Sequence, residues 1–163
     1  MDHERWTIDA ATGSVTFVAT SSIHPIRTRG SASGWFEGAF DDSGFLANST
    51  MRGRLEVPLD GLSSGNPLVD NEMRRRVDTT NHPLIVCEVE TTKDTDESAA
   101  TITGTITFLD VEVLVEGELK LLAGPRLNGV GEFDVRWWGL EPPKLFMMRV
   151  DPVVTVEIDL PLI

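Results

Sequence analysis

Apolar and polar residues alternate with period two along most of this chain. The run "TITGTITF" at 101–108 is the cleanest case: Ile102, Ile106 and Phe108 share one side and four threonines share the other, the pattern of a strand with one dry and one wet face. The same reading predicts strands near 14–20 (Val15, Phe17, Ala19), 33–40, 51–59 (Leu55, Val57, Leu59), 84–91 (Ile85, Cys87, Val89), 111–122, 130–138 (Phe133, Val135, Trp137) and 144–162, about eight in all. Turn clusters separate them: "DDSG" at 41–44, "KDTDESAA" at 93–100, "AGPRLNG" at 123–129 and "GLEPPK" at 139–144. Strand after strand, joined by short turns with no alternating helices, implies an antiparallel sheet that closes into a barrel or pairs as a sandwich.

One stretch breaks the pattern. In "SSGNPLVDNEMRRRVDTTNHPLIVCEVE" at 63–90, Asn66 suits a helix cap and Pro67 the first helical position, and Leu68, Val69, Glu72, Met73, Arg76 and Val77 follow a helical period until "DTTNHP" stops it. The spacing predicts a short amphipathic helix over 66–77 with Leu68, Met73 and Val77 toward the sheet. Arg74 and Arg75 would reach solvent, with Asp70 and Asp78 as their i, i+4 partners. A barrel has an open end, and an apolar-faced helix of this length serves as its lid or plug.

Composition narrows the function. With 163 residues the chain fits one domain, 1–163. Twenty-six acidic residues against 14 basic ones give a net charge of -12, which argues against a nucleic-acid partner or an anionic membrane surface. The charged N-terminus "MDHERWTIDAATG" lacks the apolar run of a secretory signal and no segment is apolar for long enough to span a membrane. The expectation is a cytoplasmic protein with no stable membrane insertion. The lone Cys87 sits in the apolar run "LIVCEVE", so neither an intramolecular disulfide nor a cysteine zinc cluster is available, and a buried inert thiol is expected.

The helical segment also resembles a known family. In the YceI-like family of polyisoprenoid-binding, lipocalin-like barrels, a strand and a Ser-containing turn lead into "RDxxLRSxxFFDxxxYPxIxF". Here "LEVPLDGLSSGNPLVDNEMRRRVDTTNHPLIVCEVE" keeps that order, with Asp70 at the Asp, Met73 and Arg74 at the Leu-Arg, Asp78 and Asn81 at the helix exit, and His82-Pro83 at the Tyr-Pro. "WTIDAATGSVTFVATS" resembles the family's opening strand pair, "RGSASGWFEGAF" its "GxFxxFxG" strand, and "TITGTITFLDVEVLVE" its central hairpin. "GEFDVRWWGLEPPKLFMMRVDPVVTVEIDLPL" resembles the closing strands. The chain departs from the pattern at Asp9-Ala10-Ala11-Thr12-Gly13, where the family has Asp-x-x-His-Ser, and at Thr20 and Ser21, where it has a His. The resemblance implies a lipid-binding barrel.

Catalytic patterns are weak by contrast. His3, His24 and His82 have no HxH or HxxxH partner, which disfavours metal ligation. No GxSxG elbow appears, Asp41-Asp42 lies in a turn, and "GPRLNGVG" is not followed by a helix and reads as a hairpin loop. The aromatics Trp35, Phe36, Phe40, Phe45, Phe133, Trp137, Trp138 and Phe146 fall mostly on strands, where Trp137 and Trp138 would point to opposite faces. They either pack a filled barrel or line a ligand.

The expectation is an antiparallel, eight-stranded lipocalin-like β-barrel with one short α-helix at its mouth. It would bind a polyisoprenoid, isoprenoid quinone or fatty-acid-like lipid, without a reaction, cofactor or metal. The residues expected to line the lipid are Val15, Phe17, Trp35, Phe36, Phe40, Ile85, Val89, Ile106, Phe108, Phe133, Val135, Trp137, Leu145 and Met147, with Asp70, Met73 and His82 at the mouth. Two alternatives stand beside it. One is a filled barrel acting as an interaction module, alone or as a homodimer; the other is an enzyme using Asp70, Asp78 or His82 as acid or base.

Overall fold

The computed structural model describes residues 4–38, 40–41, 44–45, 51–95, 99–141, 144–145 and 148–163. In chain order the elements are β1 (Glu4–Ile8), β2 (Ser14–Ser21), β3 (Ile26–Ser31), β4 (Ser33–Gly38), β5 (Phe40–Asp41), β6 (Gly44–Phe45), β7 (Arg52–Pro58), α1 (Pro67–Arg76), β8 (Leu84–Thr95), β9 (Ala99–Phe108), β10 (Val111–Leu122), β11 (Arg126–Asp134), β12 (Lys144–Leu145) and β13 (Met148–Pro161). The main sheet runs β1-β4-β7-β8-β9-β10-β11-β13-β2-β3, with β12 on β13 and a separate β5-β6 ladder. Every pairing in it is antiparallel.

The path holds ten strands rather than eight, and the chain explains the difference. β3 and β4 are one run interrupted only at Ala32, whose N–H turns away to donate to the Gly13 carbonyl at 3.1 Å. Its first half pairs with β2 and its second half with β1 and β7. The two ends of the path are thus joined through a shared strand. Thr7 and Ile163 exchange both backbone hydrogen bonds beside that join, at 2.8 and 3.0 Å. The sheet curls into an antiparallel, barrel-like trough with its apolar faces inward, as the alternation implied.

The strands differ from the alternation reading in several places: β1 is absent from it, and its run at 144–162 is two antiparallel strands, β12 and β13. β3 falls in "SSIHPIRTRG", where Ile26, Thr28 and Gly30 alternate with Arg27 and Arg29, and a stripe made of one Ile, one Thr and one Gly is a faint hydrophobic signal. β8 and β9 extend through both ends of the acidic run 93–100, and Ala100 is almost completely buried. β11 starts early, at Arg126, and stops at Asp134, so Val135–Trp138 form a 3-10 turn instead of a strand. Asp134 causes the stop: its carboxylate accepts from the Arg136 N–H at 2.9 Å and pairs with the Arg136 guanidinium, while Gly139 (φ 79°) ends the turn.

Helix α1 starts as expected, with Asn66 Oδ1 accepting from the Leu68 N–H at 3.0 Å and Pro67 at the first position. Its inward stripe is Val69, buried, Met73, half-buried, and the capping Val77 just past its end, buried, spaced i, i+4, i+8. Leu68 is 60% exposed rather than packed, because one residue rotates the side chain about 100° off that stripe. The ion pairs differ too. Arg75 and Arg76 both reach Glu72, at 2.8 and 3.0 Å, while Asp78 accepts from Asn81. No helix among the described residues is long and apolar enough to cross a membrane.

Candidate functional site

The inward side chains do not fill the trough evenly. Ile8, Ala32, Phe36, Met51, Ala100, Leu127, Leu160 and Leu162 close the end where β9 and β11 begin and β13 finishes, in a buried cluster that continues into the cavity walls at Val15, Leu55, Val57 and Leu119. At the other end a cavity of about 290 Å³ remains, covered by α1. Period two supplies its walls: Val15, Phe17 and Ala19 from β2, Ile26 and Thr28 from β3, Leu55 and Val57 from β7, Ile85, Cys87 and Val89 from β8, Ile102, Ile106 and Phe108 from β9, and Val154, Val156 and Ile158 from β13. Val69 and Met73 of α1 and Val77 at its C-cap form the cover, where Val69 and Met73 pack with Ile26, Ala19 and Val150.

The aromatic corner is built by the 3-10 turn. It places Trp138, 6% exposed, over the cavity, where its indole N–H donates to the Ile106 carbonyl at 3.0 Å and its ring meets Phe133 edge-on at 6.4 Å. That hydrogen bond satisfies the one polar group the side chain brings inside. Phe133 lies over Gly131, where an added Cβ would stand 2.6 Å from the ring.

Polar groups border the cavity at few places: Thr28, Asp70, Arg74, Thr79, Glu118 and Asp151. Asp70 is the most firmly held. Its carboxylate accepts from the Ser64 hydroxyl at 2.7 Å, the Ser64 N–H at 2.9 Å and the Ser63 hydroxyl at 3.3 Å. Partial burial pushes this carboxyl up, but the three serine hydrogen bonds and the nearby Arg74 charge outweigh it and hold it below its ordinary value. Deeper in, burial and then Glu88 push the Cys87 thiol up to about 11, so it stays protonated at neutral pH. Among the described residues no cluster of three or more His, Cys, Asp or Glu is placed to hold a metal ion.

Of the residues expected to line a ligand, Val15, Phe17, Ile85, Val89, Ile106, Phe108, Phe133 and Val135 all border this cavity. Three are placed elsewhere. Phe36 points inward but is consumed in the packed end, 3% exposed; Trp35, one residue before it, points out and carries Arg5 4.2 Å above its ring. Trp137 is 50% exposed, since the turn gives Trp138 the inner place. The side chains of Phe40, Leu145 and Met147 lie outside the described residues. At the mouth, Asp70 and Met73 border the cavity, whereas His82 sits outside it with Nδ1 3.6 Å from Asp110 Oδ2. Leu55, Val57 and Ile102 were readable from alternation as the apolar faces of their strands; Ile26 and Thr28 went unseen with β3.

Comparison with known proteins places this geometry. The model of the YceI-like domain matches residues 6–162. The chain belongs to the YceI-like family. Among solved structures, BcnA from Burkholderia cenocepacia superposes with a TM-score of 0.77 at 13% identity, over 94% of this chain and 98% of that one. A polyisoprenoid binding domain from Saccharophagus degradans implicated in plant cell wall breakdown gives 0.66 at 14% identity, over 95% of each chain. The YCEI protein of Campylobacter jejuni gives 0.58 at 12% identity, over 78% of each. No curated protein matches the chain.

Proposed function

We propose that this YceI-like protein binds one slender apolar lipid in the cavity beneath α1 and carries it without a chemical step. The observation that carries the reading is the cavity itself: about 290 Å³ of space walled by aliphatic and aromatic side chains and bordered by few polar groups. A solid barrel would bury those faces against each other, as its packed end does. The volume lies at the low end of small-molecule sites. A fatty-acid-like or short isoprenoid chain suits it, and a polyisoprenoid or isoprenoid quinone would place only part of its length inside. Affinity would come from apolar burial, at roughly 25 cal/mol per Å² before ordering costs. The Saccharophagus degradans neighbour is described as polyisoprenoid binding, which supports the same ligand class.

The chemistry at hand favours carriage over catalysis. The Cys87 thiol stays protonated at neutral pH, so it is a poor nucleophile, and the hydroxyls that hold Asp70 keep it an anion rather than a poised acid. Native mass spectrometry of the purified protein, followed by organic extraction, tests the reading. A co-purifying apolar species, or a fluorescent fatty-acid probe that binds and is displaced by unlabelled lipid, is expected. Protein without bound mass and without any displaceable probe would overturn the reading and favour the filled-barrel alternative.

A further inference from the structure

We infer that the lipid is a carboxylate and that Arg74 binds its headgroup; this rests on the apolar-ligand reading above and names the chemistry at the cavity's mouth. Among the described residues Arg74 is the one cation bordering the cavity. Its neighbours on α1 are spoken for, because Glu72 takes both Arg75 and Arg76. Arg74 makes no ion pair among the described residues. Its natural partner at i-4, Asp70, is turned to Ser63 and Ser64 by three hydrogen bonds, and Arg74 acts on it only through space. Arg74, itself exposed, thus borders an apolar cavity without a side-chain hydrogen bond or ion pair to any described residue.

A guanidinium's planar fork matches a carboxylate bidentately, and charge-assisted bonds of that kind are stronger than neutral ones. A hydroxyl headgroup would offer one acceptor and no charge. A phosphate monoester would offer more charge, but Asp70, Glu118 and Asp151 also border the cavity and the chain carries a net charge of -12. A second negative charge is therefore disfavoured, and a monoanion is the best match.

Calorimetric titration at neutral pH with dodecanoate, dodecanol and dodecyl phosphate, each below its micelle threshold, tests this. Dodecanoate is expected to bind about tenfold more tightly than dodecanol. Arg74→Gln should bring dodecanoate down to the affinity of dodecanol, and Arg75→Gln should preserve the preference. Equal binding of acid and alcohol, or a preference that survives Arg74→Gln, overturns the headgroup assignment but leaves the apolar site standing. Tighter binding of dodecyl phosphate overturns the choice of a carboxylate. If none of the three binds, the apolar-ligand reading fails and this inference with it.

Discussion

The two ends of the curled sheet are made from the same alternating strands, yet one is solid and the other hollow. At the packed end the inward positions carry Phe36, Met51, Leu127 and Leu160, which belong to one buried cluster. Beside the cavity the positions of β9, β10 and β11 include Gly104, Gly117, Gly129 and Gly131, which bring no side chain of their own. Neighbours close over three of them, with Phe133 over Gly131, Ile158 and Leu119 over Gly129, and the Glu88 backbone over Gly104, and the cavity remains among the side chains between. Period two decides which side chains face in. Their size decides whether the interior closes.

The largest expected effect sets the two ends against each other. Leu127 is 1% exposed in the packed cluster, so Leu127→Ala should cost about 3 kcal/mol in urea unfolding and leave lipid-probe affinity unchanged. Ile106 already faces empty space, and Ile106→Ala should cost about half as much while altering probe affinity. Equal losses of stability would mean that the cavity is closed in solution.

Next in size is the cover. Met73 is half-buried against Ile26 and Val69, and Met73→Asp puts a charge against apolar walls, which should cost about 2 kcal/mol and weaken uptake of the probe. Arg75→Ala is the control on the outer face: Glu72 keeps Arg76 when Arg75 is lost, so neither the urea midpoint nor uptake should move measurably. A stability loss in Met73→Asp without any change in uptake would make α1 a structural plug rather than a cover over the site.

How far the sequence reveals this molecule follows the same division. Alternation in "TITGTITF" and the Asn66-Pro67 start are local signals, and the strand and helix they imply stand where they were expected. Phe36 against Trp35 was readable as opposite faces, but which level of the barrel Phe36 occupies depends on how β4 registers with β7, through pairs such as Phe36 with Gly53. That is a non-local fact. Trp137 and Trp138 exchanged roles because Asp134 caps a 3-10 turn, a contest between side-chain and ladder hydrogen bonding that period two does not see. The Val69 stripe was within reach of a helical wheel and was missed by one position. Arg74 and Arg75 are both exposed, as expected; that Arg74 also borders the cavity depends on how α1 seats over the strands, which is again non-local.

Cys87 gives the hollow end a pH signature. Its folded value of about 11 lies above the ordinary 9.0, so the folded protein disfavours the thiolate. The associated stability is intact below about 9 and is lost as pH rises from there toward 11, since the unfolded chain ionises first. Cys87→Ala should flatten that alkaline decline in urea midpoints, and the wild-type thiol should resist Ellman's reagent at neutral pH until urea is added. Rapid labelling of the folded protein would show that Cys87 is reachable through the mouth and that its environment is wetter than the walls imply.

The smallest effect separates the two ends by their hairpin turns. At the packed end the turn between β10 and β11 places its positive φ on Gly124, at 143°, where the absence of a side chain removes the strain. At the hollow end the turn between β9 and β10 places it on Leu109 and Asp110, at 53° and 61°. Both residues sit in the left-handed region that glycine tolerates best. Leu109 is half-buried, so replacing it would forfeit apolar contact as well as strain. Asp110 is the clean site, because its side chain is 89% exposed and its ion-pair partner is His82, at 3.6 Å. Asp110→Gly removes the strain but gives back part of the gain through the freer unfolded chain, leaving a net stabilisation of about 0.5 kcal/mol. For a protein of this size that raises the melting temperature by about 1–2 °C. Lipid-probe affinity should stay unchanged, since Asp110 does not border the cavity. A lower melting temperature would show that the contact with His82 outweighs the backbone term. Altered uptake would extend the binding site across the rim to the hairpin, and the hollow end would then be defined by its turns as well as by the glycines in its walls.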